Sequence, residues 1–247
     1  MAHRSGGTSA RHHPCLVIAH RGASAVAPES TRAAIRAAVR SGAHMIELDV
    51  QMTRDGRLVI FHDDRLNRTT NGRGRLVNAT YIQVARLDAG SWFHPRFAGE
   101  RILLLSEVLR LIPRRVRVNL ELKRTRHGRR LVQRVLQTVR RARAQRRVVL
   151  SSFDAALLDL VGRCGMPRAL ICYRRPERSL HRAIRAGYDG WHPKRSLASP
   201  ARIARAHAAG LWVNVWTVDD LAQARRLRRW GVDGIFTNDP AKFRSVA

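Results

Sequence analysis

Lysine is almost missing from this 247-residue chain: Lys123, Lys194 and Lys242 are the only three among 47 basic residues. Acidic residues are also scarce, 18 in all, which leaves a net charge of +29. The three cysteines, Cys15, Cys164 and Cys172, are odd in number and lack metal-ligand spacing. That argues against a disulfide framework or a cysteine zinc site and suits a reducing, cytoplasmic setting. No apolar run approaches the roughly 20 residues that a membrane helix needs. Residues 1–13 are polar and basic with no apolar h-region, so they read as a disordered basic extension rather than a secretory signal. Residues 14–247 are then expected to form the folded unit.

Such a charge imbalance matches a surface for polyanions, but it also matches a compositional bias toward arginine. The arginines are spread over almost every predicted helix: Arg32, Arg36 and Arg40 on one, Arg130, Arg134, Arg140 and Arg141 on another, Arg225, Arg226, Arg228 and Arg229 on a third. An even spread favours bias, and no specific nucleic-acid partner is expected. Either origin predicts attraction to phosphate-bearing ligands, and weak association with anionic membrane surfaces, that fades as salt rises.

Periodicity shows strands and helices alternating along the chain. Predicted strands are Cys15–Ala19, Met45–Val50, Val116–Leu122, Val148–Ser151, Ala169–Cys172, Gly190–His192, Trp212–Trp216 and Gly234–Thr237. Arg57–Phe61 follows the turn Arg54-Asp55-Gly56 and reads as a hairpin partner of the second strand. Helices are expected at about Ser30–Ser41, capped by Ser30, and at Ser106–Leu111, Gly128–Arg143, Asp154–Gly162, Leu180–Ala186, Pro200–Ala208 and Asp219–Arg229. The stretch from about residue 63 to 105 carries turn signals at Asn71-Gly72 and Gly74 and reads as an insertion. Eight parallel βα cycles point to an α/β protein of the (β/α)8 TIM-barrel class. A doubly wound open sheet is the rival, and it lacks a G-x-G-x-x-G fingerprint here.

In such a barrel, chemistry gathers where strands end. His20 ends the first strand, Glu47 and Asp49 the second, and His62 the hairpin strand. Glu121 and Lys123 end the next, followed by Ser152-Phe153 and, further on, Trp216. Strand side chains alternate faces, so Glu47 and Asp49 point the same way, as do Glu121 and Lys123. Converging buried carboxylates repel one another unless a cation compensates them, and an all-oxygen set selects Mg²⁺ or Ca²⁺ over zinc. Each residue also has a plain structural reading. Glu121 and Lys123 can pair with each other, a lone histidine can cap a turn, and Trp216 can belong to the core. It is their joint placement at strand ends that favours a site. His3, His12, His13, His127 and His207 read as surface residues.

These residues sit in motifs similar to those of the glycerophosphodiester phosphodiesterase family. The motifs run in order: Ala19-His20-Arg21-Gly22, Pro28-Glu29, Glu47-Leu48-Asp49-Val50, Thr53-Arg54-Asp55-Gly56, Phe61-His62-Asp63-Asp64, Arg68-Thr69-Thr70-Asn71-Gly72, Asn119-Leu120-Glu121-Leu122-Lys123, Ser152-Phe153, Trp216-Thr217-Val218 and Gly234-Ile235-Phe236-Thr237-Asn238-Asp239-Pro240. The resemblance spans about Leu16 to Pro240. It implies a barrel enzyme that hydrolyses glycerophosphodiesters to an alcohol and sn-glycerol 3-phosphate. It also implies Glu47, Asp49 and Glu121 as metal ligands, His20 and His62 as general acid and base, and Arg21 and Lys123 as a phosphate clamp. Phe153 and Trp216 would line the glycerol or leaving-group side. The chain departs from the family pattern at Ser30, where asparagine is usual, and at Leu103-Leu104-Leu105-Ser106, which lacks the usual proline. Trp191-His192-Pro193 matches only loosely.

Two other functions are open to the sequence. A lysophospholipase D would need an apolar groove at the barrel mouth, and Trp92, Phe93 and Phe97 are the residues available to line it. A non-catalytic polyanion-binding protein would use the arginines, but it leaves the inward carboxylates unexplained.

Overall fold

The computed structural model describes residues 15–162 and 164–244; the predicted N-terminal extension, with His3, His12 and His13, lies outside them. Eight strands run parallel in a closed ring. They are β1 (Leu16–His20), β2 (Met45–Met52), β4 (Arg117–Leu122), β5 (Val148–Ser152), β6 (Arg168–Cys172), β7 (Gly190–Pro193), β8 (Trp212–Val215) and β9 (Gly234–Thr237). Sequential neighbours pair around the wall, and β1 closes the ring by pairing with both β9 and β2. Helices α1 (Arg32–Arg40), α3 (Leu105–Leu111), α4 (Gly128–Arg141), α5 (Ala155–Val161), α6 (Pro176–Arg185), α7 (Pro200–Ala208) and α8 (Leu221–Arg229) alternate with the strands. This is the expected (β/α)8 barrel, and the closing pairs rule out the open sheet.

Strand β2 is long because it has two partners along one edge. Its first residues pair with β1, and Val50–Met52 pair antiparallel with the short hairpin strand β3 (Leu58–Ile60). Beyond β3 the chain forms single 3-10 turns at Leu76–Asn78 and Pro95–Phe97 and the short helix α2 (Tyr81–Ala85). These pack over their own apolar cluster, which includes Phe61, Leu66, Leu76, Val84 and Ile102.

The barrel wall is apolar outward, where Ile46, Leu48, Val50, Val118 and Leu120 meet Leu131, Val132 and Val135 of α4. Inward residues change character with height. The floor holds Ile18, Met45, Val149, Ala169 and Phe236. Above it the register brings Glu47 level with Asn119, and Asp49 level with Glu121. The narrow interior depends on glycine at Gly190, where a Cβ would lie 2.2 Å from the Trp212 indole nitrogen.

Two local expectations are corrected. The cap of α1 is Thr31, whose hydroxyl accepts from the Ala34 amide at 3.4 Å. Ser30 instead takes the left-handed φ of +63°, which lets its amide reach the Arg21 carbonyl at 2.9 Å, and its buried hydroxyl makes no hydrogen bond. Strand β8 stops at Val215, and Trp216 follows it as an isolated bridge to Lys194.

Candidate active site

Glu47 and Asp49, two apart on β2, face inward beside Glu121 of β4. One oxygen from each lies within 4.8 Å of the others. Three carboxylates this close in a buried site cannot all ionise freely. Burial, then Asp49 and Glu121, push the Glu47 carboxyl well above the usual carboxylate range. Burial and Asp49 bring Glu121 up to about 7, against the pull of Lys123. Asp49 goes the other way: burial would raise it, but Lys123 and Arg21 outweigh that and hold it below its ordinary value.

Lys123, one residue past the end of β4, places Nζ 2.9 Å from Glu121 and 3.3 Å from Asp49. Burial opposes its charge, yet Asp49 and Glu121 hold its ammonium up to about 12. Arg21 comes from the loop after β1 with a left-handed φ of +57°. For a residue with a side chain this costs about 1–3 kcal/mol. It lets one residue serve two carboxylates. The Arg21 amide donates to Glu47 Oε2 at 3.1 Å, while its guanidinium Nε lies 3.4 Å from Asp49 Oδ2.

The two histidines enter along the same edge of β2, one from β1 and one from beyond β3. His20 ends β1, 4.0 Å from Glu47 through Nε2, and its Nδ1 shares a 2.7 Å hydrogen bond with Asn238 Oδ1. His62 follows β3, and its Nδ1 lies 2.5 Å from Asp63 Oδ1. Burial and then Arg21 push His20 down to about 4. His62 is also lowered, by burial, with Asp49 opposing. Both histidines act electrostatically on Asp49. Among the described residues, neither Nε2 makes a hydrogen bond.

The structure therefore brings His20, Arg21, Glu47, Asp49, His62, Glu121 and Lys123 to one mouth of the barrel. Phe153 and Trp216 stand at its edge, with rings 5.5 Å apart and edge to face. Several other residues of the site had no role in the sequence reading, although some lie inside the quoted motifs. Glu29 accepts from Arg21 at 3.0 Å and from Arg68 at 2.7 Å. Arg68 also reaches Asp63 at 2.6 Å, which joins the insertion to the His62 loop. Gln51, inward on β2, places Nε2 within hydrogen-bond distance of the Phe61, His62 and Asp63 carbonyls (2.9, 3.1 and 2.8 Å). Asn238 is itself held by Asp219. Trp92, Phe93 and Phe97 stack on one another. Phe97 faces a cleft against α1, and none of the three lines the cavity that holds Glu121 and Lys123. His207 is exposed, as expected, and bonds Asp233.

The chemistry of the site fits a hard divalent cation. All three converging donors are oxygens, and both oxygens of buried Asp49 lack a hydrogen-bonding partner despite the nearby cations. Two fixed positive charges against three carboxylates leave room for further positive charge, which oxygen-preferring ions supply.

Fold and site define a barrel with paired histidines and an anion-holding carboxylate–cation cluster, the equipment of a phosphoric ester hydrolase. Comparison with known proteins narrows this. The profile of the glycerophosphoryl diester phosphodiesterase family matches residues 20–242, and the chain belongs to that family. A glycerophosphodiester phosphodiesterase of Caldanaerobacter subterraneus subsp. tengcongensis is 37% identical over 241 residues, covering 91% of this chain and 94% of that protein. One from Bacillus subtilis is 30% identical over 94% of this chain and 86% of the other. The solved Oleispira antarctica phosphodiesterase, in complex with the product sn-glycerol-3-phosphate, superposes with a TM-score of 0.89 at 30% identity, covering 94% and 96% of the two chains.

Proposed function

We propose that this chain hydrolyses glycerophosphodiesters to an alcohol and sn-glycerol 3-phosphate, with His20 and His62 as the proton-transfer pair. The observation that carries the reading is the placement of two histidines around Asp49, each with Nδ1 engaged by a neighbouring side chain and Nε2 left for substrate. Family membership and the product-bound Oleispira structure support the substrate class.

Arg21 and Lys123 hold the non-bridging oxygens of the diester and stabilise charge that grows there. One histidine takes the proton of the attacking hydroxyl, from water or from the substrate's own glycerol. As the bond from phosphorus to the alcohol oxygen breaks, the other gives that oxygen a proton. The Nδ1 partners fix both rings, so each Nε2 keeps one orientation. Glu47, Asp49 and Glu121 would hold Mg²⁺ or Ca²⁺, which when bound offsets the negative charge of the phosphoryl oxygens. Phe153 and Trp216 flank the organic part of the substrate. Free Cys15, Cys164 and Cys172 support a reducing, cytoplasmic location. Among the described residues no helix is long and apolar enough to cross a membrane.

The test is turnover of glycerophosphocholine by purified His20→Ala and His62→Ala. Each is expected to lose roughly 10²–10⁴ in kcat. Near-normal turnover in either variant overturns the assignment.

A further inference from the structure

The cavity that opens from Glu121 and Lys123 is larger than the phosphodiester chemistry requires. It runs over Ser152 and Phe153 to the loop after β6 and the first turn of α6, with a volume of about 740 Å³. That lies within the ~300–1,000 Å³ range of small-ligand sites. Its wall is basic, lined by Arg124, Arg174, Arg175 and Arg178, all exposed. Arg124 stands 3.9 Å from Asp154. Among the described residues Arg174, Arg175 and Arg178 make no ion pair. Glu177, the acidic residue of α6, is engaged by Arg202 and Arg205 of α7 instead.

An aromatic path leads to these guanidinium groups. Phe153 touches Tyr173 edge to face at 5.6 Å, and the Arg174 guanidinium lies over the Tyr173 ring at 5.0 Å. A quaternary ammonium drawn to aromatic faces would meet a stacked arginine there. A second anion would meet planar forks suited to bidentate hydrogen bonding.

We propose that this cavity is a leaving-group subsite for an anionic alcohol, so that the chain prefers glycerophosphodiesters whose alcohol carries its own phosphate or carboxylate. The inference rests on the phosphodiesterase reading above. The reacting phosphate sits at Arg21 and Lys123, the alcohol arm crosses Phe153, and its charged end reaches Arg174 and Arg178.

The experiment compares kcat/KM of the full chain for a phosphorylated glycerophosphoinositol, glycerophosphoserine, glycerophosphoinositol and glycerophosphocholine. The phosphorylated substrate is expected to lead and glycerophosphocholine to trail, with glycerophosphoserine, whose alcohol carries a carboxylate, above glycerophosphoinositol. Arg174→Ala/Arg178→Ala should lower the leading value about tenfold, and the glycerophosphocholine value by no more than about twofold. Arg140→Ala/Arg141→Ala, at the C-terminal end of α4 and so away from the mouth, should leave the ranking intact. Glycerophosphocholine turning over as well as the phosphorylated substrate overturns the proposal. So does an equal loss in the α4 variant, which would mean steering by net charge rather than a subsite. Wild-type protein that turns over none of the four overturns the phosphodiesterase reading itself, and this inference with it.

Discussion

The two sides of the barrel mouth are built on opposite plans. On the β1–β2–β3 side the charged groups are linked into one network. Arg21 serves Glu47, Asp49 and Glu29, and Arg68 ties Glu29 to Asp63, which holds His62. On the β5–β6 side the charges stand in the open, largely unanswered, beside half-exposed Phe153 and Tyr173. A buried network holds groups in fixed positions, but removing one member leaves the others uncompensated. An exposed cluster constrains little, and can change its ligand without endangering the fold.

That contrast is broken most directly by removing one arginine from each side. Arg21→Ala leaves Glu47, Asp49 and Glu121 facing Lys123 alone, and uncovering buried charge in this way typically costs about 3–5 kcal/mol. Arg178→Ala should stay within about 0.5 kcal/mol. Paired thermal melts test this, and equal shifts would show that the two sides do not differ in stability.

The next effect separates the histidines. Asp63→Asn removes the carboxylate that favours the His62 imidazolium but keeps the ring's partner. Turnover is expected to fall about 10–100-fold, the worth of a hydrogen bond to a charged group. The pH limb that reports His62 should move to lower pH, because loss of a negative neighbour lowers an imidazole pKa. An unmoved pH profile with reduced turnover would leave Asp63 a merely structural residue.

The smallest effect concerns pH and the carboxylate cluster in metal-free protein. Glu121 has a folded-state value raised from 4.5 to about 7. The folded state therefore holds its proton more tightly than the unfolded chain, and this contribution to stability is lost as pH rises from about 4.5 through about 7. Asp49, lowered instead, contributes above its ordinary value and loses that as pH falls. Chelated protein should melt a few degrees lower at pH 8 than at pH 6, at about 2–4 °C per kcal/mol. Added Mg²⁺ or Ca²⁺ should raise the melting temperature more at pH 8. A cation effect equal at both pH values would place the ion elsewhere.

Much of the fold and the heart of the site were legible because both follow from short-range periodicity. Alternation along β2 places Glu47 and Asp49 on one face, and the same rule, carried one residue past β4, aligns Lys123 with Glu121. The rest of the site depends on contacts that no local pattern carries. His20 meets Asn238 across 218 positions, and Arg68 meets Glu29 across 39. The cap of α1 falls at Thr31 rather than Ser30 because a long-range turn onto Arg21 reverses the backbone there. The basic wall beyond Phe153 was hidden differently: against an arginine-rich background, four more arginines carry no signal until the fold gathers them at one opening.

Gln51 has a consequence for tolerance. Its amide grips three successive carbonyls, including that of His62, from the strand that also carries Glu47 and Asp49, and the Phe61 amide bonds the Asp49 carbonyl at 3.0 Å. His62 and the carboxylates thus share one mechanical reference. When β2 shifts with thermal motion or a distant substitution, both parts of the candidate site move together, and the spacing between them is the last thing to drift.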